Sequence, residues 1–187
     1  MKKLPGLFLF AILLQFTVAN AQPIPEKNND VTSGQLTLPD NSVITGTLKD
    51  NIRKKGEVTV INDGKKTRYK ADQLTSVQIG AVTYITNDNT FYEVIWQGKT
   101  ISLLRKASTP SAIQYNGTEA IVAAGGEGDV DDYFIKRSGE ASFQWLTKKN
   151  VKEVLGKFCS SCKTAIDDTK FGEDAIRKAV ADCDSCK

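Results

Sequence analysis

The chain has 187 residues, 25 basic and 22 acidic side chains, four cysteines and no histidine. Without imidazole it cannot build a Ser-His-Asp or Cys-His nucleophile, and nearly every catalytic zinc site is excluded too. A formal charge of +3 also lacks the strong basic excess of a dedicated nucleic-acid binder.

Residues 1–21 read as a secretory signal peptide. Lys2 and Lys3 make a positive start, an apolar run follows from Leu7 to Val18, and Ala19-Asn20-Ala21 supplies a small-x-small cleavage site. The run is too short for a typical membrane span, and an uncleaved anchor is the alternative reading. No cysteine stands at the cleavage site to take a lipid. Removing the first 21 of 187 residues leaves 166 and takes the formal charge from +3 to +1, because both lost charges are lysines. That length suits one domain with a core and an appendage. The expectation is an exported protein, periplasmic or secreted, with no membrane span after cleavage.

Residues 22–32, polar with two prolines, read as a disordered lead-in. Short strands are predicted from Gly34 to Leu104. Leu36 and Leu38 alternate with polar neighbours, Pro39 to Ser42 turns the chain, and Ile44, Gly46 and Leu48 continue on one face. Val58 and Val60 precede Asn62-Asp63-Gly64-Lys65, a strong hairpin signal, with Thr67 and Tyr69 returning. Val77 and Ile79 lead through Gly80 to Val82 and Tyr84. Asn87-Asp88-Asn89 then turns into Phe91–Trp96, and Gln97-Gly98 reads as a two-residue turn into Ile101–Leu104. Gly46 and Gly80 are the expected bend or bulge positions of a sheet that curls on itself. Residues 107–130 read as mostly loop. A further hairpin runs from Tyr133 to Trp145, with Phe134 on one face and Tyr133 and Ile135 on the other.

At Thr147 the hydrophobic period changes from two to about 3.6. Val151, Val154, Leu155, Phe158, Cys162 and Ile166 predict one amphipathic helix, capped by Thr147 or Asn150. A second helix is predicted from about Gly172. Glu173 and Asp174 sit in its first turn, and Ile176, Ala179, Val180 and Cys183 form its stripe. The predicted class is α+β and β-rich: a small antiparallel β-barrel or sandwich over 33–146, followed by a C-terminal two-helix tail over 147–187.

The segments GQLTLPDNSVITGTLK and EVTVINDGKKTRYKADQLTSVQIG, the strand Asp132 to Lys136 and the terminal helix from Asn150 resemble uncharacterised exported β-rich proteins of Bacteroidota-type bacteria. The resemblance covers most of the mature chain and rests on structural residues. It implies an envelope or secreted location and no activity.

Cys159-Ser160-Ser161-Cys162 and Cys183-Asp184-Ser185-Cys186 are the clearest motif. Two CxxC pairs at this spacing suit a four-cysteine zinc site in a reducing compartment, whereas export favours disulfides. Neither CxxC is followed by the glycine or proline that tight zinc knuckles use, and Cys162 and Cys183 extend apolar helical stripes. All four cysteines are therefore disulfide candidates. A bridge closing about twenty residues would contribute about 3 kcal/mol by restricting the unfolded tail. Bridges between the motifs are favoured because they would join the helices. A simple helix hairpin turning near Asp168 would, however, place Cys159 short of Cys183. Either the helices are offset, the first breaks near Ser160-Ser161, or the bridges are local. A redox-active pair would want its first cysteine exposed at a helix N-terminus, which neither motif offers.

Other features are weaker. Arg53, Lys54, Lys55, Lys65, Lys66, Arg68 and Lys70 cluster locally and read as the solvated face and edge of a hairpin, where lysine blocks edge pairing; the sharper reading is a patch for an anionic polysaccharide. Glu127, Asp129, Asp131 and Asp132 match no calcium-loop spacing, and Gly125 to Gly128 lacks the following helix of a phosphate cradle. Asn116-Gly117-Thr118 is a sequon, relevant only in a eukaryotic secretory route. Trp96 and Tyr92 are candidate surface aromatics, with Tyr92, Val94 and Trp96 predicted opposite Phe91, Glu93 and Ile95 or nearer a sheet edge, though core packing is the simpler role. The sequence thus points to a non-catalytic binding or structural module of the cell envelope, with an envelope protein or glycan as partner. It requires no cofactor or metal. A thiol-disulfide redox protein or a zinc-binding module using all four cysteines is the alternative.

Overall fold

A computed structural model describes residues 31–108, 128–159 and 171–186, together with the backbone of strands at 113–116 and 119–122. The expected leader, most of the lead-in, Glu127, Cys162 and Ile166 lie outside the described residues.

Ten strands form one antiparallel sheet: β1 Val31–Thr37, β2 Val43–Asn51, β3 Glu57–Asn62, β4 Lys65–Lys70, β5 Ser76–Ile79, β6 Val82–Asn87, β7 Thr90–Gln97, β8 Ile101–Lys106, β11 Tyr133–Arg137 and β12 Gln144–Leu146. Their spatial order is β12-β11-β8-β7-β6-β5-β1-β2-β3-β4. Among the described residues, strands β9 (Ile113–Asn116) and β10 (Glu119–Val122) pair only with each other. The helices are α1 (Ile52–Lys55), α2 (Val151–Phe158) and α3 (Glu173–Ser185).

The hairpin turns follow from residues that tolerate positive φ. Asp63 (φ 49°) and Gly64 (φ 77°) link β3 to β4, and Asp88 (φ 47°) and Asn89 (φ 59°) link β6 to β7. Two consecutive left-handed residues match the strands' own twist, which is why Asp-Gly and Asp-Asn stand there.

Curling comes from the link between β4 and β5. These strands are consecutive in the chain, yet β5 pairs with β1, four positions from β4. In a flat sheet that gap is about 19 Å, at about 4.8 Å per strand. Only residues 71–75 cross it, and Ala71–Gln73 form a 3-10 turn, which rises only about 2 Å per residue. The sheet therefore curls enough to bring the end of β4 and the start of β5 within reach of that link, giving an open barrel. Ala71 and Leu74 of the link are buried in its interior with Leu36, Leu48, Val58, Val60 and Val77.

A second core lies between the far strands and the helices. Ile101, Leu103, Ile135 and Leu146 pack there against Val151, Leu155, Ile176 and Val180. A third cluster, Tyr92, Leu104 and Phe134 with Val94, Phe143 and Trp145, covers the opposite face of the same strands. Phe134 thus faces away from Tyr133 and Ile135, as strand alternation predicts.

Several expectations need correction. Val31 and Thr32, assigned to the lead-in, begin β1 and pair with Lys49 and Leu48. The stretch 107–130, read as mostly loop, contains the two short strands β9 and β10. Gly80 lies in the β5–β6 turn at φ 58°, and Gly46 pairs in register with Gly34, so neither marks a bulge. The bulge falls instead between Val94 and Trp96, which oppose the consecutive residues Leu104 and Leu103. With Ile95 as the extra residue, Trp96 turns to the helix side while Tyr92 and Val94 stay on the other. The link from β7 to β8 spans 98–100 rather than two residues. Finally, the first tail helix stops at Phe158, with Cys159 as its C-cap.

Gly34 is required by close approach. A Cβ there would collide with the Gln78 carbonyl oxygen and lie 2.6 Å from Leu48 Cδ1. Gly34→Ala should lower stability by about 1–3 kcal/mol through overpacking. Gly156→Ala, in α2 with open space around its Cβ, should instead raise it by about 0.5–1 kcal/mol. Urea midpoints at unchanged m-value check both; a neutral Gly34→Ala would contradict the packing described.

Candidate functional site

The first candidate is the cysteine pair of the tail. At the start of α2, the Thr147 N–H donates to Asn150 Oδ1 (2.7 Å) and the Asn150 N–H donates to Thr147 Oγ1 (3.2 Å). Val151, Val154 and Leu155 then face the second core, and Glu153 and Lys157 form an exposed ion pair at 2.7 Å. Cys159 ends the helix and is bonded to Cys183 near the end of α3, with Cα atoms 5.3 Å apart. Both are buried, 3% and 5% exposed, among the apolar side chains of that core. The bridge joins the two CxxC motifs rather than closing either one. The early stop of α2 supplies the offset that a symmetric helix hairpin lacks. Cys186 is also disulfide-bonded, and no described cysteine is free.

The residue after Cys183 does a second job. Asp184 Oδ2 accepts the Lys99 N–H (2.7 Å), and Oδ1 accepts the Thr100 N–H (2.8 Å) and the Thr100 hydroxyl (2.6 Å). These donors, the Thr100 hydroxyl foremost, hold its carboxyl below the usual aspartate range. Gly98 makes the approach possible, since a Cβ there would run into both the Trp96 indole and the Asp184 carboxylate. Sequence reasoning treats Asp184 as a spacer inside CxxC. No local signal singles it out, because its partners lie 84 and 85 residues earlier.

The surface candidates separate. Tyr92 is not a surface aromatic: it is 2% exposed, with its ring edge-on to Phe134 (5.1 Å) and Phe143 (4.9 Å). Burial, with a smaller contribution from Asp88, pushes its hydroxyl up to about 12. Trp96 is half-buried against the second core. Arg53, Lys54 and Lys55 stand on the short helix α1, not on a hairpin strand. Arg53 reaches Glu93 (3.0 Å) and Asp131 (2.7 Å), while Arg105 reaches Glu93 (2.8 Å) and Glu173 (2.9 Å). This network ties α1, β7, β8, the acidic loop and α3 together. Lys54 and Lys55 are exposed.

The acidic loop is part of the same arrangement. The Asp129 N–H donates to Asp132 Oδ2 (2.7 Å), and Lys106 Nζ donates to the Gly128 carbonyl (2.6 Å). Lys106 is 1% exposed; desolvation lowers its pKa, opposed by the charges of Asp129 and Asp132. Among the described residues, no three metal-capable side chains converge. The basic residues Lys65, Lys66, Arg68 and Lys70 are exposed on β4, the edge strand. Beside them a groove of about 630 Å³ crosses β1–β3, lined by Ser33, Thr45, Thr47, Ile61 and Asp63 with Gly34 and Gly46.

Asp184→Asn should destabilise the chain at neutral pH by about 1–3 kcal/mol, the scale of hydrogen bonds to a charged group. A carboxyl lowered on folding contributes its stability above the ordinary aspartate pKa and loses it as pH falls through the folded value. The gap between wild type and Asp184→Asn should therefore close in acid. Denaturant titrations at several pH values check this, and a pH-independent gap would count against the charged cap.

No family model, curated protein or solved structure matches this chain.

Proposed function

We propose that the protein is an exported, non-catalytic binding or structural module of the cell envelope, of the kind its resemblance to exported β-rich proteins implies. The observation that carries this reading is the buried Cys159–Cys183 bridge, set in an apolar core between two helices and the sheet. Such a bond persists in an oxidising compartment and suits a protein that leaves the cytosol. Among the described residues no helix is long and apolar enough to cross a membrane. A leader over 1–21 would deliver the chain to the periplasm or beyond.

The cysteine surroundings favour a staple over thiol chemistry. Cys159 caps the C-terminal end of α2, where the helix dipole disfavours a thiolate, and both sulfurs are shielded from solvent. α2 has eight residues and α3 thirteen, lengths that are marginal for isolated helices. A covalent tie between their ends keeps the second core closed.

Mass spectrometry of protein alkylated before and after reduction tests the reading. The expected result is full blocking before reduction, with Cys159–Cys183 and Cys162–Cys186 peptides, in a chain recovered from the periplasmic or secreted fraction. Four alkylatable thiols with bound zinc, or one hyper-reactive thiol, would support the alternatives. Cys183→Ser should selectively reduce amide protection in α2 and α3, while β1–β5 stay protected.

A further inference from the structure

On β4, Tyr69 packs against the first core, so alternation sets Lys66, Arg68 and Lys70 on the opposite, outer face of the sheet. All three are exposed. Same-face residues along a strand stand about 6.8 Å apart, so three cations line about 14 Å of edge. The register carries the charge inward, because Arg68 opposes Thr59 and Thr59 opposes Lys49 of β2. Thr59 is only 6% exposed between these two long side chains. Within strands β1–β4, Glu57 is the acid on this face, 3.9 Å from Arg68, and Asp63 of the β3–β4 turn lines the end of the adjoining groove.

Guarding an edge against pairing explains lysine on β4, but not Lys49 two strands inward. Nor does it explain the hydroxyl-lined groove that Ser33, Thr45 and Thr47 form on the same side. Ile61, which lines that groove, opposes Lys66 in register, so groove and cations are contiguous. Strands β1–β4 present no aromatic side chain outward for stacking on bases, and no contiguous apolar surface for insertion into lipid.

We propose that the outer face of β1–β4 binds an acidic polysaccharide. Lys66, Arg68 and Lys70 take its anionic groups, and the Ser33–Thr45–Thr47 groove takes sugar hydroxyls. A polymer with an anion on each repeat engages several cations at once, so weak single contacts add. The proposal deepens the reading of the chain as an exported binding module and names its ligand class.

Fluorescence anisotropy with labelled polygalacturonate tests it. Wild type should bind with an affinity that falls as salt rises. Lys66→Gln/Arg68→Gln/Lys70→Gln should weaken binding at least about tenfold, while Lys148→Gln/Lys149→Gln/Lys178→Gln, which removes the same charge elsewhere, should change it by less than about twofold. Thr47→Glu, which leaves every edge cation in place, should weaken binding as well. Absence of wild-type binding, equal loss in the two triple variants, or tighter binding to single-stranded DNA or phosphatidylglycerol vesicles would overturn the proposal. Failure in a chain recovered outside the cytoplasm rejects the ligand and leaves export standing. Recovery from the cytoplasm rejects export, and the binding result still decides the ligand.

Discussion

The architecture depends on how α3 is fastened over one face of the sheet. Two adjacent residues do it: Cys183 bonds covalently to the end of α2, and Asp184 accepts three hydrogen bonds from the β7–β8 connection. One anchor restricts the helix pair, and the other sets its position on the strands. Between them Ile176, Ala179 and Val180 are held against Ile101, Leu103 and Ile135. Helices this short would not remain there through their own hydrogen bonds.

Around that anchor the molecule divides its work. The open barrel has its own interior, filled by Leu36, Leu48 and Val58 together with Tyr84 of β6 and Phe91 of β7, and the compact link through Ala71 and Leu74 is buried in it. The strands β7, β8, β11 and β12 are covered by helices on one side and by an aromatic cluster on the other. The ion network of Arg53, Glu93, Arg105, Asp131 and Glu173 runs across the junction. It takes Arg53 out of the basic surface and leaves that surface to the residues of β4 and to Lys54 and Lys55. The outer face of β1–β4, the proposed binding surface, is the one opposite the side chains that fill the first core.

Legibility in the sequence followed the range of each interaction. Asp63-Gly64 and Asp88-Asn89 announce their turns because each residue's own φ decides them. The stripe Ile176, Ala179, Val180 and Cys183 announces α3 because its period is local. The bulge at Ile95 has no such signature, so simple alternation places Trp96 with Tyr92 and Val94 although it packs on the helix side. β9 and β10 are four residues each, too short for a convincing alternation. α1 was obscured by its basic residues, although Ile52 is fully buried and Gly56 closes the turn at φ 62°.

Local patterns along the chain suffice for the hairpin turns, the shift from strand to helix near Thr147, and an even set of cysteines in two motifs. Each depends on residues within a few positions of one another. Long-range packing is what pairs β5 with β1, brings Cys159 to Cys183, sets Asp184 over a turn 84 residues away, and faces Arg53 toward Glu93. Those outcomes depend on loop closure, register and where a helix stops, and many sequences with the same local pattern could satisfy them differently.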